Sequence, residues 1–93
     1  MNVRYRWDKT KRQHNLVKHE LDFVDAVTVF EGHTLTVEDI RFPYGERRFI
    51  TIGQVRGRIV TVVHSENEDD IRIISMRKAT RYEQENYFKT FAN

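Results

Sequence analysis

The sequence predicts an α+β domain with helices and strands segregated along the chain. Three observations carry this. The hydrophobic period is helical up to Gly32, it changes to two with β-branched residues from Thr34, and it returns to a helical stripe after Ala79. The 93 residues, 39% hydrophobic and 32% charged, supply one core under a dense ionic surface, so 1–93 form one domain.

Arg4-Tyr5-Arg6-Trp7 alternates as a short strand, and Asp8 is an N-cap for a helix running to about Lys18. That helix offers only Leu16 and Val17, with the preceding Trp7, to a core. Lys11, His14, Asn15 and Lys18 are left to cover an exposed or functional face. Asp22 caps the next helix, whose Phe23, Ala26, Val27 and Phe30 fall at i, i+3, i+4 and i+7, and Gly32 supplies a left-handed stop. Strands are expected over 34–38, 48–53, 58–64 and 71–76, joined by a loop at Phe42-Pro43-Tyr44-Gly45, a tight hairpin at Gln54-Val55-Arg56-Gly57 and a polar turn at Asn67-Glu68-Asp69-Asp70. This order implies an antiparallel four-stranded meander. Strict alternation puts Ile71, Ile73 and Ser75 on one face of the last strand and Arg72, Ile74 and Met76 on the other. A final helix over 79–91 sets Tyr87, Phe88 and Phe91 on one stripe, with Glu83 one turn before Tyr87.

Composition removes several function classes. Without cysteine there is no disulfide framework, thiolate zinc site or cysteine nucleophile. No glycine-rich phosphate loop or nucleophile elbow is present, which disfavours nucleotide-cofactor enzymes. His14, His19, His33 and His64 form no i, i+4 pair, so no cofactor or metal is expected. No apolar run reaches the roughly 18 residues of a membrane span, and Met1-Asn2-Val3-Arg4-Tyr5-Arg6 lacks the apolar stretch of a signal peptide, so the expected compartment is the cytoplasm without membrane contact.

The net charge of +2 is unevenly spread. Residues 1–20 hold six Lys/Arg against two acids, 21–45 one against five, 46–71 four against five, and 72–93 five against two. Both ends are basic. A fold that joins them makes a positive face for phosphate or for an acidic protein partner. Lys11, Lys18 and His19 early, Arg72, Arg77 and Lys78 late, and Glu83 and Tyr87 on the last helix are residue types suited to phosphodiester cleavage. A base takes the 2′-hydroxyl proton, cations stabilise the phosphorane and an acid serves the leaving oxygen. Trp7, Tyr44 or Tyr82 offers a flat face for base stacking.

Each has a structural alternative. Trp7 is the chain's only Trp and suits the core, Lys11 and Lys18 suit a solvated helix face, and His19 suits a helix end. His64 stands among valines as a half-buried histidine, and Glu83 is in reach of Arg77 or Arg81 as an ion pair. Arg72, flanked by Ile71, Ile73 and Ile74, must be paired or face a site, because a buried unpaired cation is very costly.

Longer strings add a resemblance. Trp7-Asp8 with Lys11, Asn15 and Lys18-His19 opens the chain, and Phe23, Ala26, Phe30, Gly45-Glu46-Arg47 and Gly53 follow. Val62-Val63-His64-Ser65-Glu66, the run Ile71-Arg72-Ile73-Ile74-Ser75-Met76-Arg77-Lys78-Ala79, and Glu83 and Tyr87 complete the set, which resembles the BrnT family over nearly the whole chain. Two departures stand out: Glu20-Leu21 follows His19 where the family often has a glycine and an aliphatic residue, and Met76 replaces a common alanine.

The resemblance implies a compact RelE-like fold and a metal-independent ribonuclease toxin of a type II toxin–antitoxin pair that inhibits translation. It implies neutralisation by a BrnA-type antitoxin whose ribbon-helix-helix domain reads operator DNA. Arg77 and Arg72 become the leading phosphate and transition-state contacts, with Lys11, Lys18 and His19 opposite and Glu83 and Tyr87 completing the site. Lys78 and Trp7 join Lys18 as RNA contacts. An exposed sheet edge and the acidic stretch from Asp22 to Asp39 serve antitoxin docking or dimerisation, as a toxin dimer or a toxin–antitoxin heterotetramer. The competing class is a non-catalytic basic module that only holds RNA or a protein.

Overall fold

The computed structural model describes residues 3–91; Met1 and Asn2 of the opening lie outside the described residues. Its elements are β1 (Arg4–Trp7), α1 (Lys9–His19), a 3₁₀ turn (Phe23–Asp25) leading into α2 (Ala26–Glu31), β2 (Leu35–Asp39), β3 (Arg48–Val55), β4 (Arg58–Asn67), β5 (Asp70–Lys78) and α3 (Arg81–Phe91). The five strands make one mixed sheet in the order β1-β5-β4-β3-β2. β1 is parallel to β5, with Trp7 beside Ile73, and the other neighbours are antiparallel. A parallel pair needs a long crossover. Here everything from α1 to β4 separates the two strands, and β1 adds a parallel fifth strand beside β5, so the sheet is five-stranded and mixed where an antiparallel four-stranded meander was expected.

β1 covers only Asp70 to Ile73. Beyond it α1 takes over the edge: Asn15 Oδ1 accepts from the Met76 N–H at 3.0 Å, and its Nδ2 donates to the Leu21 carbonyl at 3.0 Å. Asn15 is therefore buried, which rules out the exposed alternative of the exposed or functional face expected of it. Its amide satisfies two backbone groups that would otherwise be orphaned. α1 starts with the Asp8 carboxylate accepting from the Lys11 N–H at 2.9 Å and ends at Glu20, whose backbone is left-handed at φ 57°.

The single helix expected after Asp22 is divided. Asp22 caps the 3₁₀ turn by accepting from the Val24 N–H, and α2 begins only at Ala26. Tighter winding shifts the phase. Phe23, Ala26 and Val29 are fully buried while Val27 and Phe30 are half-buried. Gly32 ends α2 in extended backbone at φ −102°, not in the expected left-handed turn. Gly53 has a different use, since a Cβ there would stand 2.6 Å from Val29 Cγ1 and hold α2 off the sheet.

The sheet is sandwiched. Leu21, Phe23, Ala26, Val29, Val60, Val62, Ile73 and Met76 form the core on the α1/α2 side, while Ile52, Ile59, Ala79 and Tyr87 form a smaller one under α3. Met76 fills the larger core with no exposed surface. The β3–β4 hairpin turns through Arg56 and Gly57, both at positive φ, as a two-residue turn matched to strand twist requires. α3 begins with a reciprocal cap: Thr80 Oγ1 accepts from the Glu83 N–H and Glu83 Oε1 from the Thr80 N–H. Tyr87 and Phe91 pack inward, but Phe88 is 49% exposed, because one residue further turns the helix by about 100°.

Candidate active site

Strict alternation puts Arg72 and Arg77 on opposite faces of β5. The pairing shows otherwise. Ser65 pairs with Arg72, His64 with Ile73 and Val63 with Ser75, leaving Ile74 as an extra residue in a β-bulge. Downstream of it Met76 turns to the α1/α2 core with Ile73, while Arg77 pairs with Thr61. Ser65 and Thr61 are four apart on β4 and share a face. Arg72, Ser75 and Arg77 are thus successive residues on the α3 face, each step spanning roughly 7 Å.

Both guanidiniums are held by carboxylates. Arg72 donates to Glu46 at 2.6 and 2.7 Å and through Nε to Ser65 Oγ at 3.3 Å. Glu46 also accepts from Arg48 at 3.1 Å. Arg48 lowers the Glu46 carboxyl, burial works against this, and Arg72 lowers it further. Arg77 meets Glu83 as a two-pronged fork at 2.7 and 2.9 Å. Thr61 Oγ1 donates to the same carboxylate at 3.0 Å. Burial raises the Glu83 carboxyl, but Arg77, the Thr80 N–H and Thr61 outweigh it and bring it down to about 2. A guanidinium aligned on a carboxylate presents the geometry that a phosphate takes when it exchanges with that carboxylate.

The second cluster lies on α1. Lys11, His14, Lys18 and His19 surround a hollow of about 290 Å³ over buried Asn15, with Ile74 and Ser75 of β5 as its floor. At about 100° per residue, Lys11, His14, Asn15, Lys18 and His19 span one arc with the two histidines at its edges. No carboxylate lines the hollow, and among the described residues none of its four basic side chains joins an ion pair. Ser75 belongs to this hollow and, through its pairing with Val63, to the face carrying the two arginines. Ser75 is the residue that the hollow and that face have in common; Arg72, Arg77 and Lys78 do not line the hollow themselves.

The remaining expected residues are distributed differently. Tyr87 is buried, its hydroxyl donating to the His33 carbonyl at 3.0 Å, away from the bulge. Trp7 is half-buried edge-on to Phe23, with the Arg12 guanidinium 6.0 Å from its ring centre. Lys78 is exposed at the end of β5. Tyr44 lies under Arg48 at 4.2 Å and donates to Asp39, whereas Tyr82 is 72% exposed. His64 is fully buried, against the half-buried expectation; it shares a hydrogen bond with Thr51 and lies between Phe30 and Phe49. Among the described residues no three His, Asp or Glu side chains gather as ligands for one cation, and no helix is long and apolar enough to cross a membrane.

Sequence reasoning passed over Ser75 and Glu46 as the partner of Arg72, and it set His14 on the exposed or functional face of α1 without naming it as a site residue. The signal for His14 was present: Lys11, His14 and Lys18 repeat at i, i+3 and i+7.

Residues 7–83 match the model of a family described as "Ribonuclease toxin, BrnT, of type II toxin-antitoxin system". A search of curated proteins returned no match. The match takes in α1, the whole sheet from Trp7 onward and the Arg77–Glu83 pair. On that extent the chain belongs to the BrnT family of ribonuclease toxins of type II toxin–antitoxin systems.

Proposed function

We propose that this chain is a cytoplasmic, metal-independent endoribonuclease toxin with a RelE-like fold, which cleaves RNA and thereby inhibits translation. The observation that carries the reading is the joining at Ser75 of the Arg72–Arg77 face with the Lys11–Lys18–His19 hollow. An RNA strand laid across Ser75 meets guanidiniums that exchange carboxylate for phosphate and, beyond them, unpaired ammonium and imidazole groups. Cations of this kind stabilise the charge that grows on the phosphoryl oxygens, and His19 supplies proton transfer. Glu83 positions Arg77, and Lys78 and exposed Tyr82 extend the surface along the strand.

The partner is an antitoxin, in this reading of the BrnA type, with a ribbon-helix-helix domain that contacts operator DNA. Induced expression of the chain alone should arrest growth and reduce protein synthesis. Co-expression with such an antitoxin should restore both. Growth unaffected by a folded, abundant chain would contradict the toxin reading.

The pairing of both arginines favours one competitor, a binding module in which Glu46 and Glu83 only gate access to RNA. That module would bind RNA with a steep salt dependence and leave it intact in EDTA.

A further inference from the structure

We infer that Ile50 and Val63 form the seat of a nucleobase beside the cleaved bond, between arginines on either side; this rests on the ribonuclease reading above. The register of the sheet sorts its α3 face into neighbouring rows that run across the strands. Leu35, Ile52, Thr61 and Arg77 make the first row. α3 lies over it: Ile52 and Leu35 pack with Tyr87 and Phe91, and Glu83 holds Thr61 and Arg77. Val37, Ile50, Val63 and Ser75 make the second row, and Asp39, Arg48, Ser65, Arg72 and Arg6 the third.

Successive rows on one face are roughly 7 Å apart. A helix with its side chains reaches only about 5–6 Å from its axis, so the second row lies at the edge of α3. Its burial agrees. Val37 is 57% exposed, Ile50, Val63 and Ser75 are half-buried, and neither Ile50 nor Val63 belongs to either core. An aliphatic strip is thus bordered by Arg77 on one side and by Arg72 and Arg48 on the other. This matches one unit of single-stranded RNA, whose base is apolar on its faces and whose flanking phosphates are anionic. The only polar side chain in the row is the Ser75 hydroxyl, so the seat holds a base by its face and reads little of its hydrogen-bonding edge. Val37 continues the strip towards the rim of the sheet, where a neighbouring base would lie.

The test compares wild type, Ile50→Ala and Val63→Thr in EDTA, folding checked by circular dichroism. Each is given an oligoribonucleotide and the same strand with the base removed on one or the other side of the cleaved bond, free or as the message on ribosomes. For wild type, removing the seated base should lower kcat/KM by about 10-fold or more, chiefly through KM. Ile50→Ala and Val63→Thr should be slower on the intact strand but lose little more when the base is removed, because both changes delete the same contact. Equal cleavage of intact and abasic strands by wild type would overturn the seat whatever the variants do. A base-removal loss as large in the folded variants as in wild type would overturn it too, and either result leaves the ribonuclease reading standing. Wild type inactive on free and ribosome-bound RNA would overturn both.

Discussion

Arg72 and Arg77 share one face of the sheet although five positions separate them, because Ile74 is an extra residue in β5 opposite a regular β4. Without the bulge Arg77 would point into the core that Met76 now fills, and Met76 would point into the site. One residue therefore sets both the packing and the placement of the cations.

Arg77 and Glu83 form the more strongly held pair, with the carboxylate the more buried partner at 18% side-chain exposure. Arg77→Ala should destabilise the fold by about 2 kcal/mol, between the small worth of an exposed pair and the larger cost of breaking a buried one. Adding Glu83→Gln should recover part of that loss by removing the stranded charge. Urea unfolding of the single and double variants measures both effects.

Asn15 joins α1 to the uncovered part of the β5 edge. Asn15→Ala should cost about 2–3 kcal/mol, since it leaves the buried Met76 N–H and the Leu21 carbonyl without partners. A thermal melt should show a drop of roughly 10 °C or more for a domain of this size. A melt within a degree or two of wild type would show that these groups find other partners.

Glu20 occupies the left-handed end of α1 at φ 57°. A side chain in that conformation is strained by roughly 1 kcal/mol, which glycine avoids. Glu20→Gly should therefore raise stability by about that amount and raise Tm by several degrees, as calorimetry would show.

His64 makes acid stability measurable. Burial lowers its pKa from the ordinary 6.5 to about 4, and its Nδ1 has no hydrogen-bond partner. Glu66 stands 3.4 Å from Nδ1 but is 40% exposed, so solvent weakens its opposing pull. The unfolded chain binds this proton more readily than the folded one. Stability from His64 is complete above about pH 6.5, falls as pH drops towards 4 and then levels off, by roughly 3 kcal/mol in all. Urea unfolding from pH 7 to 4.5 should show this loss in wild type and a much flatter profile in His64→Gln.

The sequence carried a large share of this structure. The Asp8 cap, the change of period near Thr34, a tight hairpin within Gln54-Val55-Arg56-Gly57 and the presence of α1 and α3 follow from local chemistry, which is what pattern expresses, whereas the division of the second helix at Ala26 does not. The bulge at Ile74 was hidden because alternation over 71–76 is apolar on both faces, so no polar residue marks the slip. Asn15 was hidden for a related reason: a lone amide on a polar helix looks solvated until the uncovered edge beside it is known. The same slip concealed the site, since Arg72 and Arg77 are both visible in sequence but their common face depends on register.

The most direct measurement is cleavage of an oligoribonucleotide in EDTA by wild type, Arg72→Ala, Arg77→Ala/Glu83→Gln and Lys11→Ala/Lys18→Ala, beside Arg58→Ala as a control outside both clusters. If the two clusters form one site, wild type and the control should cleave alike. Loss of Arg77 should lower the rate about 10²–10³-fold, and loss of either Arg72 or the lysine pair should also impair cleavage. Wild-type rates from a folded Arg77→Ala/Glu83→Gln or Lys11→Ala/Lys18→Ala protein would contradict a single site built across Ser75.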